Sequence, residues 1–383
     1  MSPHTTTPSA TTHPPAVGWT AREIAQQPVV WRELQASLAA QLETVDAFLA
    51  PMLARPDLRV VLAGAGTSAF AGEVLAPGLS RTLRRRVDAV ATTDLVSNPR
   101  EVLAEDVPTL LVSFARSGDS PESLAALDLA DRLLTECRHL ILTCNPDGTL
   151  HRIARDRAAD GTVLTLLMPA ASNDRGFAMT SSVTSMMLTA AHVLGGHRDL
   201  HRLADVAELV LPDLEKRAHD LVADGSDRYV YLGSGPLAGL ARESALKLLE
   251  LTAGAVVSYH DSSLGFRHGP KAVLTDRTTA LVYLSNDPYT RRYDLDIARE
   301  LRAALPEGRV VTLGCRDDAT EETWSFPTLA DLPDEVAAPV LLLGAQHVAL
   351  AQSLALGLEP DNPFPGGQVN RVVEGVTIHD LDA

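Results

Sequence analysis

Short apolar runs recur along this chain. Each is closed by a loop of small and polar residues, and each loop leads into a helical period. Residues 60–63 form the first run and end in Gly64-Ala65-Gly66-Thr67-Ser68. Residues 109–113 precede Arg116-Ser117-Gly118-Asp119-Ser120-Pro121-Glu122-Ser123, and residues 139–143 precede Cys144-Asn145-Pro146-Asp147-Gly148. The pattern then returns. Runs 229–232, 280–284 and 309–313 end in Gly233-Ser234-Gly235-Pro236-Leu237, Ser285-Asn286-Asp287-Pro288 and Gly314-Cys315-Arg316-Asp317-Asp318. Unbroken apolar runs alternating with helices predict strands of a parallel sheet covered on both faces. The two glycine loops start 169 residues apart, at Gly64 and Gly233, and the following strands are similarly spaced. This predicts an α/β chain with two tandem flavodoxin-like units, residues 58–210 and 211–358. A helical pattern over 182–222 bridges them.

The flanks read differently. Residues 1–18 are Thr/Pro-rich and almost uncharged, as expected of a disordered tail. N-terminal helices occupy 19–57, interrupted near Pro28, with Thr20 and Glu23 spaced as a capping box. Residues 359–383 contain three prolines and no long period, which predicts an extended arm lying over the rest.

Composition narrows the function classes. A formal charge of −16 argues against a nucleic-acid surface, which needs clustered Lys and Arg. The short basic run over 81–86 does not change this. Three cysteines without a CxxC pair fit a reducing, cytoplasmic setting. Neither a secretory signal nor a membrane-spanning run is expected.

The candidate chemistry gathers in two places. In open parallel sheets, ligands bind at the carboxyl ends of the strands. Thr67, Ser68 and Ser113 lie there, with Arg116, Ser117 and Ser120 just before a helix whose N-cap and N1 are Ser120 and Pro121. Hydroxyls, a guanidinium and free helix N–H groups suit an anion. GAGTSA is neither a Rossmann nor a Walker motif, so a phosphate monoester is expected rather than a nucleotide. The second place is residues 242–271. Glu243, Lys247 and Glu250 share one helical stripe, opposite Leu240, Ala241, Ala245, Leu248 and Leu251, and His268 follows in a loop. The stripe reads either as an acid–base set or as a solvated face with an ordinary ion pair. No HxH or HExxH pair occurs, so neither a metal nor another cofactor is expected.

These motifs resemble the sugar isomerase (SIS) family with two such domains in tandem, whose SG-[DE]-[ST] loops hold phosphosugars. The stripe and the following His268-Gly269-Pro270 resemble the isomerase half of glucosamine-6-phosphate synthase. RSGDSPES, NDRGFAMTSS, FRHGPK and DNPFPGGQVNRVV resemble bacterial galactosamine-6-phosphate deaminase/isomerases, over residues 20–383. The resemblance implies that Glu250 moves the C1/C2 proton, with Glu243 and Lys247 in support. It also implies that His268 assists ring opening at a neighbouring subunit's site, in a homodimer or higher oligomer. Departures are visible. There is no room before Val60 for a glutaminase domain, Ala115 replaces a phosphate-loop serine, and Arg371 stands where the synthase has a lysine. Arginine forms no Schiff base but can still grip an oxygen substituent.

The expected function is conversion of galactosamine 6-phosphate to tagatose 6-phosphate and ammonia. Simple aldose–ketose isomerisation and action on glucosamine 6-phosphate are the alternatives within enzymes. A non-catalytic phosphosugar sensor is the alternative outside them. It would need neither Glu250 nor His268, and the first 58 residues lack the basic character of a DNA-binding module.

Overall fold

The structure is a computed structural model describing residues 18–316, 323–373 and 375–381. Of the expected tail, only Gly18 falls within these residues. Helices α1 (Trp19–Ala25) and α2 (Gln27–Leu53) come first. The first unit comprises β1 (Arg59–Gly64), α3 (Thr67–Leu83), β2 (Arg86–Ala91), α4 (Thr92–Ser97), α5 (Pro99–Val102), β3 (Thr109–Phe114), α6 (Pro121–Leu133), β4 (Cys137–Thr143), α7 (Thr149–Asp156) and β5 (Val163–Leu167). Helices α8 (Ser181–Val193) and α9 (Leu200–Ala223) bridge the halves. The second unit comprises β6 (Arg228–Gly233), α10 (Pro236–Leu251), β7 (Val257–Ser262), β8 (Thr278–Tyr283), α11 (Thr290–Ala304), β9 (Val310–Gly314), β10 (Trp324–Ser325) and α12 (Asp334–Ala355).

Each unit builds a five-stranded, all-parallel sheet. The first runs β2-β1-β3-β4-β5 and the second β7-β6-β8-β9-β10, the same flavodoxin-like order. All six expected strands are present. The four unexpected ones, β2, β5, β7 and β10, lie at sheet edges. Strands β2 and β5 mix buried with partly exposed positions, β7 has no fully buried position, and β10 has only two residues, so none shows a continuous buried apolar run.

One apolar core joins both halves, including Trp31, Leu62, Val183, Tyr231 and Leu342. Helix α12 passes through it. Its length and composition would allow it to cross a membrane, but its apolar stretch is wholly buried within the protein. The expected capping box at α1 does not form. Glu23 turns away to the backbone N–H groups of Arg175 and Gly176. Asp361, from the C-terminal segment, instead accepts from the N–H groups of Trp19 (2.6 Å) and Thr20 (2.8 Å). A distant carboxylate satisfies the same orphan donors that a local cap would.

The two glycine loops have like conformations. Gly66 and Gly235 precede α3 and α10 with φ of 54° and 55°, in the left-handed region that favours glycine. Helices α3 and α10 then pack against each other. Glu73 and Arg242 pair across them at 2.5 Å and are 169 residues apart, the interval separating the glycine loops. Equivalent positions of the two halves therefore meet, as at a two-fold axis. Beside them Gly239 lets the helices touch, since a Cβ there would lie 2.8 Å from the Val74 nitrogen. Gly239→Val is expected to lower stability by about 1–3 kcal/mol through overpacking. Chemical denaturation checks this, and an unchanged midpoint would mean the crossing has slack.

Candidate active site

Lys247 joins the two halves. Its ammonium is buried, with 1% of the side chain exposed, and donates to the Thr67 hydroxyl at 2.9 Å and to Glu250 at 2.5 Å. Glu243 lies 3.5 Å away and is also buried. The stripe is therefore no solvated face. It points into the crossing with α3, because α10 packs on α3 on one side and α12 on the other. Glu250 sits at the end of α10 with a quarter of its side chain exposed, the only partly open member of the trio.

Burial alone would lower the pKa of Lys247, but Glu243 and Glu250 outweigh it and raise the value. Burial raises Glu243 from 4.5 to about 7, with Lys247 opposing and Glu250 adding to the rise. The carboxyl held near neutrality is thus the inaccessible Glu243. Glu250 is the carboxylate that reaches the surface.

Of the expected phosphate residues in the first half, Thr67 makes this contact, and the others lie on or next to the first-half loops. Thr67 and Ser68 form the first turn of α3, and Ser113 is buried near the end of β3. Arg116 follows, also buried. Its Nη2 donates to the Arg371 carbonyl at 2.9 Å, while its Nη1 has no hydrogen-bond partner among the described residues. Burial lowers the Arg116 pKa, Arg371 lowers it further, and Asp174 and Glu250 act the other way. Glu250 therefore lies close enough for its charge to act on Arg116. Arginine stays charged under such shifts, so Arg116 remains a buried cation with one unpartnered nitrogen.

The loop itself is stiffened from below. Gly118 has φ of 68°, and Asn145 donates to the Ser117 carbonyl at 2.9 Å. Asp119 is turned toward α7. It accepts from the N–H and hydroxyl of Thr149, both at 2.8 Å, at the start of α7. Ser120 is the N-cap residue of α6 and Pro121 follows at its start, but the Ser120 hydroxyl donates to Ser123 (2.7 Å) rather than capping the backbone.

Sequence reasoning missed a second set of residues. Asp174 is fully buried and accepts from Thr180 N, Ser181 N and Ser182 N at 2.8–3.1 Å, anchoring the start of α8. Its carbonyl accepts from Arg371. Glu23, Asp174 and Asp361 thus tie α1, the loop after β5 and the C-terminal arm together. The NDRGF string was the available signal, but nothing local reveals which segment its carboxylate serves. The arm does lie over the protein, as expected. Phe364 meets Phe177 at 5.1 Å, and Leu381 packs on the apolar cluster between β1, α4 and α6.

His268 is not brought to Glu250 within the chain. It is exposed, in the turn after the short 3-10 segment Gly265–Arg267. No hydrogen bond or ion pair among the described residues joins it to Glu250. Its neighbours Arg267 and Lys271 both pair with Glu300 of α11, which holds the turn firmly.

The raised carboxyls set a sign for pH. Between about 4.5 and about 7 the folded chain keeps a proton on Glu243 that the unfolded chain has released. The contribution of Glu243 is therefore fully present below about 4.5 and lost as pH rises through about 7. Glu23, also raised to about 7, chiefly by burial and then by Asp174, acts with the same sign. Glu243→Gln is expected to shrink the fall in stability between about pH 5 and about pH 7.5. Denaturant titrations at both values measure it, and an undiminished fall would clear Glu243 of the effect.

Comparison with known proteins agrees with this geometry. The SIS domain family matches residues 52–194. A Streptomyces coelicolor AgaS-family protein is 58% identical over 95% of this chain and 96% of its own length. The D-galactosamine-6-phosphate deaminase AgaS of Escherichia coli is 43% identical over 95% of this chain and 96% of its own. The crystal structure of tagatose-6-phosphate ketose/aldose isomerase from Escherichia coli superposes with a TM-score of 0.86 at 40% identity, covering 96% of this chain and 98% of that one. With two like-ordered sheets, the Lys247 junction and identities of this size along nearly its whole length, the chain belongs to the AgaS family of SIS-domain sugar-phosphate enzymes.

Proposed function

We propose that this enzyme converts galactosamine 6-phosphate to tagatose 6-phosphate and ammonia. The observation that carries the reading is the Thr67–Lys247–Glu250 chain of contacts, which ties the anion-holding half to the carboxylate of the other half. The first-half loops would hold the phosphate through Thr67, Ser68, Ser113, Ser117, Ser120 and the Arg116 guanidinium, with Arg371 closing over it from the arm. Phosphate contacts position a substrate without reacting. Glu250 would take the C2 proton of the open-chain amino aldose and return it to C1. Loss of the C2 proton forms an enolamine, the return of the proton to C1 turns it into a ketimine, and water adds to C2 and displaces ammonia. Acid–base chemistry suffices for each step.

Lys247 would hold Glu250 in place, and neutral Glu243 would leave the ammonium free to serve Glu250. His268 projects from a pinned turn and would serve the site of a second copy, in a homodimer or larger assembly in the cytoplasm. Simple aldose–ketose isomerisation uses the same proton transfer, and the name of the Escherichia coli structure favours it as the second reading.

Ammonia release from galactosamine 6-phosphate, compared with glucosamine 6-phosphate and a ketose control, separates these readings. Ammonia is expected from the galacto epimer. Interconversion of tagatose 6-phosphate with its aldose, and no ammonia, would favour plain isomerisation. Glu250→Gln should lower turnover by about 10²–10⁴-fold while sparing substrate binding. Retained turnover would remove Glu250 from the role. Mixing inactive His268→Ala with inactive Glu250→Gln chains should restore part of the activity if the site is shared, and no recovery would place His268 elsewhere.

A further inference from the structure

The two-fold relation of the halves implies a second cavity equivalent to the active site, and the structure contains it. It has a volume of about 530 Å³ and is lined by Arg81, Ser234, Asn286, Asp287, Asp334 and Glu335, among others. Sheet register fixes the correspondence. Arg59 stands beside Thr109 in the first sheet, as Arg228 does beside Thr278 in the second. Counting on from these pairs, Pro236 and Leu237 stand where Thr67 and Ser68 do. Ser285 and Asn286 stand where Arg116 and Ser117 do. On the facing helices, Gly78 and Arg81 of α3 take the places of Lys247 and Glu250 in α10.

One further substitution decides what this cavity does. Asp294 of α11 corresponds to Ala125 of α6. Its fully buried carboxylate accepts from the Ser234 hydroxyl (2.6 Å), the Ser263 hydroxyl (2.5 Å) and the Ser285 N–H (3.0 Å). Ser234 and Ser285 belong to the second-half counterparts of the loops read as the anion site in the first half. Asp334 takes two more donors, the Ser285 hydroxyl at 2.6 Å and the Asn286 N–H at 2.7 Å. Asp287, Asp331 and Glu335 also face the cavity. Its one cation, Arg81, is paired with Glu335 at 2.9 Å. The first half has loop hydroxyls and a guanidinium with an unpartnered nitrogen. The second has counterpart loops in which Ser234, Ser285 and the Asn286 N–H are already taken by carboxylates.

We infer that Asp294 stands in for the substrate phosphate in the second half, so that each chain carries one phosphosugar site and the second cavity is closed to phosphate esters. This rests on reading the first-half loops as the phosphate site. The internal carboxylate also ties the loop before α10 to α11 through the Ser234 hydroxyl. The helix that presents Lys247 and Glu250 then needs no second ligand to position it.

The test is the stoichiometry of inorganic phosphate and galactosamine 6-phosphate binding, by calorimetry, to the full-length protein and its variants. Wild type is expected to take one per chain and Arg116→Ala none. Asp294→Asn keeps the side-chain shape but removes the charge, and should gain a second, weaker site that persists in the Arg116→Ala/Asp294→Asn double variant. Two per chain in wild type, or one retained at unchanged affinity in Arg116→Ala, would overturn the inference. So would a folded Asp294→Asn chain that gains nothing. If Asp294→Asn fails to fold, the wild-type and Arg116→Ala counts decide. If wild type takes up none, the phosphate reading of the first half fails, and Asp294→Asn alone still decides whether Asp294 excludes anions from the second.

Discussion

Placing an ammonium in the interior is the constraint on which the rest of this structure depends. Lys247 is cut off from water, and a charge so placed is tolerated only where partners surround it closely. Two of those partners are on its own helix, one turn to either side. The third is Thr67, 180 residues earlier in the chain. The contact therefore holds only if α3 and α10 cross closely, which in turn needs Gly239 at the crossing and two sheets of matching order to launch the helices. Fold and site are thus joined at one atom.

The same contact explains how labour is divided between two similar halves. Each half offers loops at the carboxyl ends of its strands and a helix that reaches across to the other. In one combination the loops carry hydroxyls and Arg116, and the facing helix carries Lys247 and Glu250. In the other the loops are tied to Asp294 and Asp334, and the facing helix offers Gly78 and Arg81. Few changes of side chain separate the two combinations, because the backbone framework is common to both.

The chain ends are part of this framework. Asp361 caps α1, the Arg371 carbonyl accepts from Arg116, and the Arg371 guanidinium donates to the carbonyl of Asp174. Asp174 in turn gathers the N–H groups that start α8. A segment without regular secondary structure thereby ties α1, Arg116 and the loop bearing Asp174 together.

Much of this was legible in the residues themselves. Periodicity located the six inner strands, because a strand buried on both faces must be apolar throughout. The matching glycine loops disclosed the two units, since a strand that turns directly into a helix needs a left-handed glycine. The hydroxyl loops and the Glu243–Lys247–Glu250 stripe were visible as chemistry. What the residues left open was direction. A charged stripe looks the same whether it meets water or another helix, and only the packing of α10 between α3 and α12 showed that it is buried. Local spacing suggested that Glu23 caps its own helix, whereas tertiary contact gave that task to Asp361 and sent Glu23 to another loop. Spacing along a chain determines which residues share an element and a face. Which distant group neutralises a buried charge or satisfies an orphan donor is determined by how the elements pack, because hydrogen bonds and ion pairs act over a few ångströms of space, whatever the separation in sequence.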